Sequence, residues 1–585
     1  MNLLQLKQDL EKHFGFTFNI NKDLKQGLIN TNQAFIQAKI DKSNPQLIAI
    51  QISETINSYL KDNNYPYFAI NTGPYVNIDI YPDKIQSNFN NFSIPQSESK
   101  ILLEYISPNV AKELHLGHLR NMNIGDSIRR LLVLKYPNLL TVNHWGDWGV
   151  QFGKLIWAYK KFKSGLISSA TINDNIEPIS FDIYESNHLQ GLIRMYVWAE
   201  QNKADYPNYD QEVRDEFLAL EKGDEENIKL WQEFIKVSKV EVTNDMELFN
   251  VPIHMLEQGE SYYEKYNDLV YNFFESNKLW QSEDKARFIN FELLAELTNN
   301  PSIKNLGYGY LISSTGYTTY LFRDICARID WVSVLESDKM ITVTGNEQLH
   351  HFKQLNAVCD YISTLQTAFK NSNKLASQNI IHVPYGFLTL AGGSKMSTRK
   401  GIIHNARKMF EDVKAEAINN LTLRDTNNID LKAPIITQAA IKWTDLSKDT
   451  IHDIEFDLNS LLSFEGNTGM YQLYTIARIN SILNKNPTSS VFDINTLTPD
   501  EILIAKQVLL LPFQLNESID KLKPHYLVNY CYELTNSINS WYNTTSLINE
   551  KDDVRKSTLV KLLNTVKESL IYSLDKLGID TLEEV

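Results

Sequence analysis

Cysteine is scarce in this sequence. The three cysteines, Cys326, Cys359 and Cys531, stand far apart, and no CxxC pair occurs. Such spacing fits neither a structural zinc site nor a disulfide framework. We therefore expect no zinc, no tightly bound cofactor and a cytoplasmic location.

Long apolar runs and an excess of basic charge are also missing. The most apolar stretch, Ile502 to Phe513, is interrupted by Lys506 and Gln507, so no membrane span is expected. The first ten residues predict an amphipathic helix without the apolar core of a signal peptide. The net charge of −14 disfavours nonspecific nucleic-acid binding. It does not exclude RNA, because a local basic surface can guide RNA on an acidic protein.

A strand, a turn and a helix are predicted in succession near the first fifth of the chain. Residues 101–106 are apolar and bulky, as in a buried strand, and apolar residues then recur at helical spacing from Leu119. The connecting run is Ser107-Pro-Asn-Val-Ala-Lys-Glu-Leu-His-Leu-Gly-His118. A helix N-terminus after a strand presents unpaired N–H groups to an anion. The segment therefore predicts a nucleotide site with His115 and His118 on one helix face.

A second segment fits the same chemistry. It contains Gly392, Gly393 and Gly401 for backbone freedom and the run Lys395-Met-Ser-Thr-Arg-Lys400 for positive charge. A third, Val142-Asn-His-Trp-Gly-Asp-Trp-Gly-Val-Gln-Phe-Gly153, indicates close backbone packing around a ligand, with Asp147 and Gln151 beside it.

Together these segments resemble the arginyl-tRNA synthetase family of class I aminoacyl-tRNA synthetases. The first matches the family's His-x-Gly-His signature with the arginyl Ser-Pro-Asn-x-Ala-Lys before it. The second resembles the Lys-Met-Ser-Lys signature in its arginyl form. The resemblance implies ATP-dependent attachment of L-arginine to tRNA(Arg) through arginyl-adenylate, with Mg²⁺ accompanying ATP and with bound tRNA needed for the first step. We expect a monomer.

The resemblance also implies the fold, a multidomain α/β protein. We expect an N-terminal α+β tRNA-binding domain over residues 1–95 and a Rossmann-like catalytic domain over 96–405. Long charged helical patterns predict a connective insertion at about 165–300, and strand-like runs at 308–312, 340–344 and 379–383 are expected to complete the parallel sheet. A helical stem over 406–450 and an all-α anticodon-binding bundle over 451–585 follow.

The ATP site is carried over from the family's motifs. The catalytic residues implied are Lys112, His115, His118 and Lys395. Lys112 is the expected substitute for the final lysine of Lys-Met-Ser-Lys, because Thr398 and Arg399 follow Ser397 here; an ordinary surface lysine is the alternative. The ATP-binding residues implied are Pro108, Asn109, Val110, Ala111, Leu114, Gly117, Met396, Ser397 and Arg399.

Arginine selectivity requires carboxylates, since the planar guanidinium fork matches them bidentately. The arginine-binding residues implied are Glu104, Asn109, Tyr320, Asp324 and Gln348. Two alternatives stay open: Tyr320 could be a core residue, and Asp324 could pair with Arg323 or Arg328. Gly345 stands where the family usually has Asp, which leaves the source of an acidic group there undetermined.

The tRNA contacts expected on the C-terminal bundle are Tyr471, Tyr474 and Arg478. They share one helix face, and unstacked bases need aromatic platforms and cations. Core packing is an equal explanation for Tyr474. The residues after Ile579 depart from the family's Pro-x-x-Met ending, so no anticodon contact is carried over to them. Two other functions remain: a cysteinyl or glutamyl type of class I synthetase, and a catalytically silent tRNA-binding regulator.

Overall fold

The computed structural model describes residues 1–167, 170–172, 177–252, 255–365, 369–390, 405–424, 426–486 and 491–584. Among these residues, none of the helices combines the length and apolar character needed to cross a bilayer. The side chains of residues 170–172, 177–179, 390, 459 and 548 are outside the description.

The first part of the chain packs helices on an antiparallel sheet. Its elements are α1 (Leu3–Phe14), β1 (Asn19–Ile20), β2 (Ile29–Thr31), α2 (Gln33–Asp41), α3 (Pro45–Asp62), β3 (Tyr67–Thr72) and β4 (Tyr75–Ile80). The strand order is β1-β2-β4-β3. Lys506 Nζ lies 2.6 Å from Asp79 Oδ2 in a buried contact that joins this part to the C-terminal helices.

The central part holds the site, and its elements alternate between strands and helices. They are β5 (Ile101–Glu104), α4 (Leu116–Lys135), β6 (Leu140–Asn143), α5 (Val150–Lys163), β7 (Ala170–Ile172), β8 (Glu177–Ile179), α6 (Phe181–Ser186), α7 (His188–Gln201), α8 (Tyr209–Glu221), α9 (Glu225–Leu248), β9 (Leu256–Glu257), α10 (Glu260–Tyr263), α11 (Asn267–Ser276), β10 (Gln281–Glu283), β11 (Ala286–Asn290), α12 (Phe291–Thr298), β12 (Tyr308–Ile312), α13 (Tyr320–Ser333), β13 (Lys339–Gly345), α14 (Leu349–Thr364), β14 (Ile380–Tyr385) and β15 (Leu388–Leu390).

A parallel sheet with the order β14-β13-β5-β6-β9 organises this part. Its central strands are aligned in register, with Leu103 opposite both Ile341 and Thr141. The prediction that residues 308–312 belong to this sheet is wrong. Strand β12 pairs antiparallel with β11 in a separate sheet, because β11, at 286–290, is near it in the chain and offers an edge for hydrogen bonding. Strand β9, inside the predicted insertion, takes the edge position instead.

The chain continues almost wholly as helices. They are α15 (Ala406–Leu423), α16 (Ile429–Leu446), α17 (Leu458–Leu461), α18 (Gly469–Lys485), α19 (Pro499–Leu509), α20 (Leu511–Lys521), α21 (His525–Thr544) and α22 (Asp553–Lys576), with β16 (Ile454–Phe456) paired to β15. The close packing of α18 on α16 depends on Gly469, where a Cβ would lie 2.3 Å from the Ala439 carbonyl oxygen.

A buried ion pair fixes the histidine-bearing helix α4 to α16. Arg120 Nε lies 3.0 Å from Asp445 Oδ1, and both side chains are fully buried. The guanidinium also donates to the carbonyl oxygens of Gly386, Phe387 and Thr450. One residue of α4 thus joins this helix to the segments 386–387 and 445–450.

Arg120→Met should lower the free energy of unfolding by about 3–5 kcal/mol, because it leaves Asp445 as an unpaired buried charge. The loss is measured as a lower thermal unfolding midpoint. The double variant Arg120→Met/Asp445→Leu removes that charge and should regain the part of the loss due to it, but not the part due to the three carbonyl oxygens left without a donor. An unchanged midpoint in the single variant would contradict a structural role for the pair.

Candidate active site

The two histidines of the first motif cap helix α4. His115 is the N-cap residue, and its Nδ1 accepts the backbone N–H of Gly117 at 3.0 Å. His118 Nδ1 accepts the backbone N–H of His115 at 3.2 Å. The rings stack with centroids 3.9 Å apart. A Cβ on Gly117 would lie 2.8 Å from His115 Cε1, so this glycine makes room for the histidine ring itself.

Both histidines are held in the neutral form. Burial lowers the pKa of His115, with a further contribution from the charge of Lys112. Burial lowers the pKa of His118 well below its ordinary value, and His115 adds to the effect. Because each Nδ1 accepts a backbone N–H, the neutral ring carries its proton on Nε2. The pair therefore offers Nε2–H donors.

These histidines line a cavity of about 510 Å³ at the carboxyl ends of the sheet strands. Of the predicted residues, the structure brings together in its wall Glu104, Asn109, His115, His118, Tyr320, Asp324 and Gln348. Ligands of open α/β sheets bind at this edge. The cavity is thus the site that the motifs predict.

Glu104 is a buried carboxylate with several partners. Thr342 Oγ1 donates to Glu104 Oε2 at 2.8 Å, and Arg328 Nη2 lies 3.4 Å from the same oxygen. His144 Nδ1 lies 3.3 Å from Glu104 Oε1. Burial acts to raise the pKa of Glu104, but the hydrogen bond from His144 and the charge of Arg328 outweigh it and leave the pKa lowered. Glu104 is therefore ionised.

Asp324 is a second ionised carboxylate. His351 Nε2 lies 2.6 Å from Asp324 Oδ2. Among the described residues, Asp324 therefore pairs with His351 and not with Arg323 or Arg328, the two partners considered from the sequence. Burial opposes ionisation, yet the bond with His351 holds the pKa of Asp324 below its ordinary value. Tyr320, one turn earlier on α13, is 62% exposed, which excludes the core-packing alternative.

Asn109 reaches the cavity beside the first glycine of the third motif. Gly146 donates its N–H to the Pro108 carbonyl at 3.0 Å, and a Cβ on Gly146 would lie 2.4 Å from Asn109 Oδ1. The predicted ATP-binding residues Pro108, Val110, Ala111 and Leu114 have buried side chains.

Lys112 lines a neighbouring cavity of about 200 Å³ together with Leu114. Lys112 is exposed, as the surface-lysine alternative expects, although partial desolvation of its ammonium lowers the pKa and the charge of Lys154 lowers it further. The predictions for Lys395, Met396, Ser397 and Arg399 lie outside the described residues.

Sequence reasoning missed four acidic or basic residues of the wall, which are His144, Glu260, Glu347 and His351. Glu260 forms an ion pair with Arg323 at 3.2 Å, and burial raises its pKa to about 7. Its segment is held by Asp147, which accepts the Ser261 N–H and hydroxyl, each at 2.8 Å. Asp147 in the third motif is the sequence signal that points to this contact.

Glu347 occupies the space opened by Gly345. A Cβ on Gly345 would lie 2.2 Å from Glu347 Oε2. A carboxylate is therefore present above residue 345, although it is carried two positions later in the chain. The departure from the family pattern at Gly345 does not remove the acidic group from the wall.

The predicted tRNA-contacting residues lie together on α18 and are half-buried. The Arg478 guanidinium carbon lies 5.4 Å from the Tyr474 ring centroid and 4.0 Å from that of Tyr542. Tyr471 contacts Tyr532 edge-on, with centroids 6.5 Å apart. The arrangement presents aromatic rings with an interleaved cation.

Comparison with known proteins decides the family. A model described as the catalytic domain of class I tRNA synthetases (R) matches residues 85–458, and one for the DALR anticodon binding domain matches 472–585. The chain belongs to the class I arginyl-tRNA synthetase family. The predicted family, fold class and arginine–tRNA ligase activity are thereby confirmed.

Individual relatives agree with this. Arginine--tRNA ligase of Streptococcus pneumoniae (strain CGSP14) is 30% identical over 541 residues, covering 89% of this chain and 87% of the relative. Arginyl-tRNA synthetase of Thermus thermophilus superposes with a TM-score of 0.79 at 21% identity, over 100% of both chains. The Plasmodium falciparum enzyme superposes with 0.75 at 22%, over 100% of this chain and 99% of the other. The two superpositions show the shared fold.

Proposed function

We propose that the enzyme makes arginyl-adenylate in the cavity beside His115 and His118 and then transfers arginine to tRNA(Arg). In the first step a carboxylate oxygen of arginine attacks the α-phosphorus of ATP, and the bond to the β-phosphate oxygen breaks to release diphosphate. In the second a hydroxyl of the terminal ribose of tRNA attacks the arginyl carbonyl, and AMP leaves. The observation that carries the proposal is the pair of neutral histidines, each with Nε2–H as its donor, in one cavity with the ionised carboxylates Glu104 and Asp324.

The histidines act on the ATP side. Their Nε2–H groups donate to the triphosphate oxygens, where negative charge is redistributed as diphosphate leaves. Lys112 and Lys395 supply positive charge for the leaving group, and Mg²⁺ enters as the counter-ion of the ATP substrate. The residues named from sequence around them are Pro108, Asn109, Val110, Ala111, Leu114, Gly117, Met396, Ser397 and Arg399.

The carboxylates act on the arginine side. Asp324 keeps its charge beside Tyr320, while Glu104 is already bonded to Thr342 and Arg328. We infer that Asp324 makes the main charged contact with the guanidinium and that Glu104 sets the local potential. Asn109 and Gln348 bind the polar groups at the α-carbon, because they are neutral and lie on the same cavity wall.

The helical C-terminal part binds tRNA. The cluster of Tyr471, Tyr474 and Arg478 provides rings for stacking and a cation for the phosphate backbone. We place the domain boundaries at residues 95, 405 and 450, with the insertion at about 165–300. The enzyme acts as a monomer in the cytoplasm without zinc, and its first step requires bound tRNA.

The test is aminoacylation of total tRNA with arginine, glutamate or cysteine in parallel. Charging with arginine alone is the expected result. Charging with glutamate or cysteine and none with arginine would favour the other class I synthetases considered above. tRNA binding without any charging would identify a regulator.

The KM for arginine should fall as pH rises from 6 to 8. Ionised Glu260 favours the cationic substrate, and with its pKa at about 7 the residue must lose a proton for that interaction. Below pH 7 the KM should therefore rise up to about tenfold per pH unit. Steady-state exchange kinetics across this range measure the effect.

The variant Glu260→Gln shows whether Glu260 or the neighbouring His144, whose pKa is also raised, causes the pH dependence of KM. The variant should show a nearly flat KM between pH 6 and 8. An unchanged slope would assign the titration to another group. The stability of the fold changes with pH in the opposite sense. The folded enzyme holds the Glu260 proton more tightly than the unfolded chain does, so the stabilisation that this protonation gives is lost as pH rises from about 4.5 to 7.

A further inference from the structure

Glu113 joins elements that lie far apart in the sequence. It precedes His115 by two positions, and its carboxylate accepts two side-chain amides. Asn405 Nδ2 donates to Glu113 Oε2 at 2.7 Å, and Gln190 Nε2 donates to Glu113 Oε1. Gln190 lies on α7 and Asn405 precedes α15, so one carboxylate connects three segments.

Asn405 is fixed by both its side chain and its backbone. Its Oδ1 caps α15 by accepting the Lys408 N–H at 3.0 Å. Its backbone forms an antiparallel bridge with His115, and the next residue, Ala406, donates its N–H to the Leu114 carbonyl at 2.9 Å. The chain thus enters α15 directly beside the catalytic histidine.

Helix α15 begins directly after Asn405. The following turn is tied to a second helix of the inserted region, because Arg407 Nε lies 2.8 Å from Asp245 Oδ1 on α9. The inserted helices, the histidine motif and the start of α15 therefore share one hydrogen-bonded junction.

We propose that Glu113 is a positioning residue for adenylate formation. It fixes Asn405, whose backbone forms a bridge with His115, and so sets the placement of the histidines that donate to the triphosphate. Since transition-state contacts require closer placement than substrate binding, loss of Glu113 lowers kcat and spares the KM for arginine. The inference rests on the proposed function, because that function assigns the histidines to ATP.

The test uses a side-chain exchange across the bond. Glu113→Gln leaves either the Asn405 or the Gln190 amide facing another amide donor, and Asn405→Asp sets carboxylate against carboxylate, so each single variant loses a hydrogen bond of the junction. In the double variant Glu113→Gln/Asn405→Asp, the amide introduced at position 113 can donate to the carboxylate introduced at position 405. The amide oxygen at 113 still accepts from Gln190, and the second carboxylate oxygen at 405 still caps α15. All the hydrogen bonds are restored with the direction of one reversed.

Arginine-dependent ATP–diphosphate exchange is measured with tRNA present. Each single variant should lose about 10- to 100-fold in kcat with the KM for arginine within about twofold of wild type, and the exchanged pair should return to within about threefold. Thermal unfolding midpoints are recorded for all four proteins. If a single variant does not fold, the exchanged pair and Gln190→Ala, which removes one donor, provide the comparison.

The outcomes separate the two proposals. If the wild-type enzyme shows exchange and the single variants keep its kcat, the role of Glu113 is overturned and the proposed function is not. The same holds if the exchanged pair is no better than the worse single variant, or if KM and the unfolding midpoint change while kcat does not. A wild-type protein that shows no arginine-dependent exchange would overturn the proposed function and this inference with it.

Discussion

Replacing His118 with alanine should lower the kcat of arginine-dependent ATP–diphosphate exchange by about 100- to 1,000-fold. The backbone bond from His115 to His118 Nδ1 leaves Nε2–H as the donor, and alanine removes that donor from the buried cavity. The KM for arginine should change little, because the carboxylates that face arginine belong to other segments. Steady-state exchange with tRNA present measures both constants.

His452→Ala is the matched control, since His452 is exposed and lies after the stem helix. It should retain the wild-type kcat. The His118→Ala protein should also keep its affinity for tRNA in a filter-binding assay. Wild-type exchange in His118→Ala would contradict the role given to the histidine pair.

Asp324→Asn should raise the KM for arginine by roughly 30- to 1,000-fold, the cost of removing one partner from a buried, hydrogen-bonded charge pair. The side chain is held by His351, and asparagine keeps its shape while removing its charge. Asp268→Asn, at an exposed position on α11, should keep the KM within about twofold of wild type. Equal KM values in both variants would assign arginine recognition elsewhere.

The histidine motif and its flanks can be located from the sequence because their chemistry is local. His115, Gly117 and His118 cap one helix, and Glu104 ends the strand before it, so a single strand-turn-helix unit positions them. Asp324 and Tyr320 are equally accessible to sequence reasoning, since one helical turn separates them. For these residues, spacing along the chain corresponds to proximity in the fold.

The remaining contacts depend on tertiary packing. Glu260 lies inside the predicted insertion and reaches the cavity because strand β9 joins the edge of the parallel sheet. His351 reaches Asp324 from another helix, and Glu347 fills the space above Gly345. The strand at 308–312 is misassigned from the sequence because an apolar run does not specify which sheet it joins. Local patterns identify elements, whereas long-range pairing determines their partners.

The most direct test of the account is ATP–diphosphate exchange by the wild-type enzyme, with and without arginine and with and without tRNA. We expect exchange when both are present and little in the other three mixtures. This result would place arginyl-adenylate formation in a site completed by tRNA. Exchange with another amino acid and none with arginine would contradict the account at its centre.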